Sequence, residues 1–471
     1  MTDAVVVGAG PNGLAAAVTL ALRGLSVTVY EAADTIGGGT RTTERILPGL
    51  LHDDCSAVHP MGVASPFFRS LDLTAHGLEW CLPEVDLAHP LDDAVAGVFT
   101  RPLEQTVDRL GPDGPSWRRL FAPLAAHFDD IAGEVLRPIV HLPSHPISLA
   151  RFGVDALMPA TLTARRWRTE QARALFGGVA AHAFYPLTRP TTSAPGLLML
   201  AAGHRYGWPV ARGGSRSITD ALASLLRALG GRIETGRRVE LLGELPRADV
   251  TMLDLSPTGV ADLAGNRLPA RVSRAYRRYR YGPAAFKLDL AVEDGIPWRD
   301  DACRRAGTVH LGGTLDEIAA TERDLHRGRM PEHPFVLIGQ QYLADPSRSA
   351  GNVHPVWAYA HVPHGYTGDA TEAILRQIER FAPRTRERIV GTFSRSATEM
   401  PLYNPNYVGG DIASGANDPL QLVTRPRITL DPYSTGIPGV YICSASTPPG
   451  GGVHGMGGYN AARSALRRLE R

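Results

Sequence analysis

The first forty residues constrain the fold of this chain more than any other segment. A buried strand is predicted over 3–7 (DAVVV), a glycine-rich turn over 8–13 (GAGPNG) and a helix over 14–22. A second strand, over 26–30 (SVTVY), ends at Glu31. Strand, glycine turn, helix, strand and acid follow one another in the order that a dinucleotide-binding βαβ unit requires.

The glycines of this turn each have a physical reason. Gly8 permits the tight turn, Gly10 lets a pyrophosphate approach the backbone, and Gly13 lets the helix pack close to the strand. The free N–H groups at the start of the following helix then bind the phosphates. We therefore predict that this loop binds a nucleotide.

Glu31 follows the glycines at a spacing of about 20 residues, where a carboxylate accepts hydrogen bonds from ribose hydroxyls and repels a 2′-phosphate. The alternative, a glycine-rich turn in an ordinary α/β domain, leaves this acid unexplained. A second loop that exposes its backbone follows over 37–42 (GGGTRT).

Composition excludes several classes of protein. With 471 residues the chain is too long for one compact core, and its net charge of +2 offers no basic field for nucleic acid. The longest apolar stretch near the middle, 194–203, is about half the length of a membrane span. We interpret it as a buried helix or substrate wall, with peripheral membrane contact as the alternative. Met1 leads directly into the first strand, so we expect no signal peptide. The four cysteines have neither metal-binding nor redox spacing, which favours a cytoplasmic protein. They are Cys55, Cys81, Cys303 and Cys443.

The carboxyl-terminal segment predicts a second site for negative charge. Residues 444–458 form a glycine-rich loop that leads into a helix predicted over 459–469. Such a helix start stabilises negative charge on a ring carbonyl, which a reduced flavin carries and a nicotinamide site does not need. We expect both ends of the chain to close on one site, with FAD as the cofactor.

These motifs resemble those of FAD-dependent oxidoreductases of the amine oxidase and phytoene desaturase superfamily. The resemblance covers nearly the whole chain and includes 212–214 (RGG), 281–292 (YGPAAFKLDLAV) and 449–462. The segments 404–411 (NPNYVGGD) and 450–458 resemble the phytoene dehydrogenase-like branch, which includes retinol saturases and carotenoid isomerases. The resemblance implies that FAD is bound by Gly8, Gly10, Pro11, Asn12, Gly13, Glu31, Gly38, Gly39, Arg41, Thr42, Val239, Ser446, Gly455 and Met456.

One position departs from the superfamily pattern. Many members have Arg directly after the Gly-Gly pair, whereas this chain has Gly39 there and Arg41 two residues later. Arg41 is therefore the candidate for the flavin-facing cation that the resemblance implies.

Lys287 is the candidate catalytic residue. It is the one lysine among the 49 basic residues, the others being arginine, and the resemblance implies a lysine near flavin N5, usually through a water. A buried cation there orients water and stabilises reduced flavin or a developing anion. The alternative is a strand lysine whose ammonium reaches solvent.

Histidines provide a second catalytic candidate but no metal site. His454 precedes the second helix start and is the candidate proton relay, the alternative being a loop histidine bonded to backbone. His354, His361 and His364 lack a carboxylate or Cys to complete a ligand set, so we predict no metal.

We predict an α/β fold with a three-layer Rossmann-type FAD-binding domain and an inserted mixed-sheet and helical substrate domain. The first is expected over 1–70, 205–270 and 420–471, and the second over 71–204 and 271–419, with helices over about 103–192. The alternation in 286–292 (FKLDLAV) predicts a half-buried strand.

The expected function is that of an FAD-dependent oxidoreductase. It would transfer hydride from an apolar or amine-bearing small molecule to flavin N5, forming C=C or C=N. One dinucleotide fingerprint favours oxygen or a quinone as the electron acceptor. Two alternatives stay open: an isomerase or saturase that uses reduced flavin, and a non-catalytic flavoprotein-like scaffold. The phosphate loops at both ends argue against the scaffold.

Overall fold

A computed structural model of the protein describes residues 3–470, so Met1, on which the expectation of an absent signal peptide rests, lies outside the described residues. The strands are β1 Asp3–Val7, β2 Ser26–Tyr30, β3 Thr42–Thr43, β4 His52–Asp53, β5 Trp80–Cys81, β6 Val85–His89, β7 Gly97–Phe99, β8 Val210–Ala211, β9 Arg232–Glu234, β10 Val250–Leu253, β11 Ala284–Glu293, β12 Ala306–Leu311, β13 Val336–Gly339, β14 Val353–Val362, β15 Ile389–Arg395 and β16 Val440–Ile442.

Helices connect and cover these strands. They are α1 Pro11–Ala21, α2 Pro60–Val63, α3 Pro66–Arg69, α4 Leu103–Arg109, α5 Gly114–Ala126, α6 Phe128–Val135, α7 Pro146–Ala156, α8 Ala160–Thr163, α9 Glu170–Ala180, α10 Ser193–Tyr206, α11 Arg216–Ala228, α12 Pro257–Ala264, α13 Ala270–Arg277, α14 Asp301–Arg305, α15 Leu315–His326, α16 Thr371–Phe381, α17 Met400–Tyr403, α18 Pro419–Thr424 and α19 Met456–Leu469.

The first sheet is parallel and has the strand order β16-β10-β1-β2-β9. Successive side chains of a strand point to opposite faces, and β1 shows this directly. Val6 packs into the cluster that contains Leu14 of α1 and Ala462 of α19, whereas Val7 packs against Val260 of α12. Helices therefore cover both faces, which gives three layers.

The edge strand β9 is short, with three residues. It ends at Glu234 because the backbone turns at Gly236, which has a φ of +67° and donates from its N–H to the carbonyl of Ala33 at 2.8 Å. The left-handed conformation at this position costs a glycine no strain.

The second sheet is mixed, with the order β15-β11-β14-β13-β12-β6-β7. Its strand β11 is not half-buried as the alternation predicts, because both of its faces are covered. Phe286 and Leu288 pack into one apolar core with Ile374 of α16. Lys287 and Asp289 occupy the opposite face, where the rest of the molecule shields them from solvent.

Helices fill the chain between β7 and β8. The apolar stretch 194–203 lies in α10, where Leu197 and Leu200 are fully buried and Leu198 and Met199 border a large cavity. No helix within residues 3–470 is both long and apolar enough to cross a bilayer.

Candidate functional site

A large cavity lies between the glycine loop and the second sheet. Its volume is about 1000 Å³. Gly8, Gly10 and Glu31 line it on the side of the first sheet, and Trp357 and Tyr359 of β14 line it on the side of the second. The space therefore borders both the predicted nucleotide loop and a largely apolar wall.

The glycine loop forms a concave stretch of backbone (the cradle) in which side chains would collide with their neighbours. Gly8 has a φ of +102°, and a Cβ on Gly13 would lie 2.1 Å from the Gly8 carbonyl oxygen. A Cβ on Gly10 would lie 2.9 Å from Oδ2 of Asp254. The backbone conformation of Gly8 and the close neighbours of Gly10 and Gly13 therefore favour glycine at all three positions. The approach of a pyrophosphate to Gly10 stays a prediction.

Asp254, directly after β10, packs against the glycine loop at Gly10 and Gly13. The N–H of Gly13 donates to its Oδ2 at 2.9 Å, and burial raises the pKa of Asp254 to about 7. Sequence reasoning missed this residue. The signal was an acid at the carboxyl end of a parallel strand, the same signal that identified Glu31.

Glu31 organises the backbone around the nucleotide loop. Its Oε2 accepts from the N–H of Ala9 at 2.8 Å, and its Oε1 accepts from Ala33 at 3.0 Å and from the Arg41 guanidinium at 3.3 Å. Each carboxylate oxygen has two lone pairs, so Oε2 retains capacity for a further donor such as a ribose hydroxyl.

The departure from the superfamily pattern at Gly39 has a structural counterpart. A Cβ on Gly39 would lie 2.1 Å from the hydroxyl of Tyr407, which occupies the space that a longer side chain needs. Arg41 lies over the ring of Tyr403 with 5.6 Å between its guanidinium carbon and the ring centroid. Arg41 also borders the cavity.

The carboxyl-terminal loop borders the cavity as far as His454 and then leads into a second helix. The helix predicted over 459–469 begins earlier, at Met456, after Gly455 with a φ of +68°. The N–H of Met456 donates to Nδ1 of His454 at 3.1 Å, and burial lowers the pKa of His454 to about 4. Nδ1 of His454 therefore carries a lone pair, and the imidazole is neutral near pH 7.

Lys287 lies on the face of the second sheet that borders the cavity. Opposing residues of paired strands share a face, which puts Lys287 in one row with Tyr359 of β14 and Leu337 of β13. Its ammonium forms a buried ion pair with Asp289 and lies 5.2 Å from the centroid of the Trp357 ring. Burial lowers the pKa of Lys287, while the charge of Asp289 opposes this shift. Lys287 therefore does not reach solvent.

Most of the predicted cofactor residues border the cavity: Gly8, Gly10, Pro11, Asn12, Glu31, Gly38, Gly39, Arg41, Val239 and Ser446, together with the catalytic candidate His454. The other predicted site residues do not border it: Gly13, Thr42, Lys287, Gly455 and Met456. Among these, Thr42 donates from its hydroxyl to Oδ1 of Asp53 at 2.7 Å.

Within residues 3–470 there is no group of three or more potential metal ligands.

Known proteins resemble this chain in sequence and in fold. Residues 6–71 match the family described as NAD(P)-binding Rossmann-like domain. A rat protein named pyridine nucleotide-disulfide oxidoreductase domain-containing protein 2 is 24% identical over 99% of this chain and 94% of its own length. A limonene dehydrogenase polypeptide of Castellaniella defragrans is 22% identical over 99% of this chain and 95% of its own length.

Solved structures share the fold at low sequence identity. A putrescine oxidase bound to putrescine has a TM-score of 0.62 at 18% identity, covering 100% of this chain and 99% of its own. Cyclohexylamine oxidase from Brevibacterium oxydans has a TM-score of 0.59 at 17% identity, covering 100% of both chains. An oxidoreductase from Methanosarcina mazei reaches 0.64 at 14% identity, covering 99% of this chain and 100% of its own. These matches confirm the predicted α/β fold, with a Rossmann-type dinucleotide-binding domain and a mixed sheet.

Proposed function

We propose that this protein is an FAD-dependent oxidoreductase that oxidises an apolar or amine-bearing small molecule to form C=C or C=N. The observation that carries this proposal is the large cavity, which borders both the nucleotide loop and the apolar wall at Leu337, Trp357 and Tyr359. A dinucleotide bound at that loop and a substrate at that wall would share one enclosed space, which is what hydride transfer between them requires.

The residues present fit FAD. Glu31 and Val239 would hold the adenosine portion, and the cradle at Gly8 and Gly10 would hold the pyrophosphate. The start of α19 would lie near the ring, because its loop borders the same cavity. When bound, FAD supplies hydride acceptance at N5.

The chain's own residues would position the substrate and exclude water. Leu198, Met199 and Leu337 present apolar side chains to the cavity. Lys287 lies behind Trp357, so we propose that it acts as a buried charge that stabilises reduced flavin or a developing anion. We propose His454 as the proton relay, since it borders the cavity and its imidazole is neutral.

The names of the relatives support both substrate chemistries. Limonene dehydrogenase is named for the oxidation of a hydrocarbon, whereas putrescine oxidase and cyclohexylamine oxidase are named for amines. We also propose that the protein belongs to the phytoene dehydrogenase-like branch and that it is divided into an FAD-binding and a substrate domain. The proposed electron acceptor is oxygen or a quinone.

Purified protein tests the proposal directly. We expect FAD in the supernatant after heat denaturation and a flavin absorption spectrum that dithionite bleaches without air. Readmitted oxygen or added benzoquinone should restore the spectrum, and the faster of the two identifies the acceptor. Gly10→Val should remove the flavin, because a branched Cβ at this position meets Asp254 and blocks the phosphate. Protein that neither contains nor binds FAD contradicts the proposal.

A further inference from the structure

A cluster of polar side chains lies at the end of the cavity formed by the second sheet. Thr308 and His310 of β12 border the cavity together with His182, which follows α9. The rings of His182 and His310 lie 5.3 Å apart between centroids. The surrounding wall at Phe184 and Leu337 is apolar, so these groups interrupt an otherwise apolar surface.

The polar atoms of this cluster have no partners among the described residues. Neither ring nitrogen of His310 forms a hydrogen bond, nor do Nε2 of His182 and Oγ1 of Thr308. His310 is 0% exposed and Thr308 is 3% exposed, so solvent does not satisfy them. Buried polar groups are almost always hydrogen-bonded, and a set of unpaired ones that borders a cavity indicates a ligand that pairs with them.

The electrostatics of the cluster select against a charged ligand. Burial lowers the pKa of His182 to about 3 and that of His310 well below its ordinary value, so both imidazoles are neutral. The carboxylate nearby, Glu322, is fully buried, and its Oε1 lies 2.7 Å from Nδ1 of His361 while its Oε2 has no partner among the described residues. Neither Glu322 nor His361 borders the cavity. An ammonium or a carboxylate would lose its hydration here without an opposite charge to replace it.

We propose that Thr308, His310 and His182 form a subsite that binds an uncharged oxygen group, a hydroxyl or a carbonyl, of an otherwise apolar substrate. A neutral imidazole offers one N–H donor and one acceptor nitrogen, and a hydroxyl offers both roles, so the set complements either group. This assignment rests on the proposed function, since it narrows the substrate class to apolar alcohols, ketones and similar compounds.

Four eight-carbon probes of matched size test the subsite by isothermal titration calorimetry of the purified protein at neutral pH. The probes are 1-octanol, 2-octanone, octylammonium and octanoate. We expect the alcohol and the ketone to bind about tenfold more tightly than either ion, the scale of one to two hydrogen bonds.

Two variants and a matched control assign the preference to these residues. Thr308→Val keeps the side-chain shape and removes the hydroxyl, and His182→Phe keeps a ring and removes the nitrogens. Each should weaken 1-octanol binding by about fivefold to tenfold and leave octylammonium unchanged. Thr392→Val, the same substitution at an exposed position of β15 that does not border the cavity, should leave all four affinities unchanged.

The possible outcomes distinguish failure of the polar subsite from failure of the proposed FAD-dependent oxidation. Equal or tighter binding of either ion, no binding of any probe, or wild-type alcohol affinity in both variants overturns the subsite. The flavin spectrum of the same samples reports on FAD independently, so protein without FAD that retains the alcohol preference refutes only the proposed reaction. Unchanged unfolding midpoints of the variants exclude loss of structure as the cause.

Discussion

The backbone N–H of Gly458 donates to Oδ1 of Asn12 at 3.3 Å, joining α19 to α1 across 446 positions of the chain. The two helices are in backbone contact at this point, since a Cβ on Gly458 would lie 1.8 Å from the Asn12 carbonyl oxygen. Helix α19 therefore packs directly on the helix that begins at the nucleotide loop.

Gly458→Ala should destabilise the protein and weaken nucleotide binding. The added methyl group cannot be accommodated without moving α1 or α19, and such overpacking costs about 1–3 kcal/mol. Urea unfolding measures the loss. The matched control is Gly133→Ala in α6, where a Cβ meets nothing within 4 Å and helix propensity favours alanine. Equal stability of the two variants would contradict the close contact.

Glu31→Gln should weaken FAD binding by about 1–3 kcal/mol through the loss of charge-assisted hydrogen bonds. In the wild type, the carboxylate accepts hydrogen bonds from the N–H groups of Ala9 and Ala33. The neutral amide would place an NH₂ donor against one of these N–H groups. Fluorescence titration of the flavin-free protein gives the dissociation constant. Glu234→Gln, half-exposed at the end of β9, is the control and should bind FAD as the wild type does.

Lys287→Met should destabilise the fold as well as slow the flavin reaction. The substitution leaves Asp289 as an unpaired buried carboxylate, a loss of about 3–5 kcal/mol. The double variant Lys287→Met, Asp289→Leu removes both charges and should recover most of this free energy of unfolding. A double variant as unstable as the single one would show that the ion pair does not hold Lys287 in place.

The double variant also isolates the proposed role of Lys287 in the reaction. With the fold retained, flavin reduction or reoxidation should still be slower than in the wild type by roughly 10²-fold. Stopped-flow absorbance of each half-reaction measures this. Wild-type rates in both half-reactions would assign Lys287 to structure alone.

Asp254 should make the stability of the flavin-free protein fall as pH rises. Burial raises its folded pKa to about 7 from an unfolded value of 3.8, so the folded state binds more protons between these values. The free energy of unfolding then falls from about pH 4 to pH 7, at most by about 1.4 kcal/mol per pH unit for one proton. Asp254→Asn keeps an acceptor for the Gly13 N–H and should remove this slope in urea unfolding. An identical slope in the variant would place the titration elsewhere.

Sequence reasoning predicts the parts of the fold that depend on local pattern. The βαβ unit over 3–31 follows from glycine positions and apolar runs. Strands β1 and β2 lie where these predict, whereas α1 begins at Pro11, three residues before the predicted start. The same reasoning places the start of α19 three residues too late, because Met456, Gly457 and Gly458 show no apolar period. The helix begins there because the packing against Asn12 fixes the backbone.

The candidate site is only partly predictable, for a physical reason. The resemblance points to Lys287, and its partner Asp289 follows two residues later on the same face of β11. The Trp357 ring, in contrast, depends on strand register in the second sheet. The polar subsite at Thr308 and His310 depends on which face of β12 borders the cavity, and a strand buried on both faces carries no periodic signal for this.

The strand order of the first sheet has a consequence for biosynthesis. β1 lies between β2 and β10, and β16 joins only beyond β10, so the sheet that carries the nucleotide loop draws on strands far apart in the polypeptide. A nascent chain on the ribosome exposes the glycine loop early, yet α19 cannot cover it until residue 458 has left the exit tunnel. Contacts of such wide sequence separation form late and slowly. We therefore expect a nucleotide to be retained only after α19 has been synthesised, and a nonsense mutation ahead of α19 should yield protein that cannot retain one.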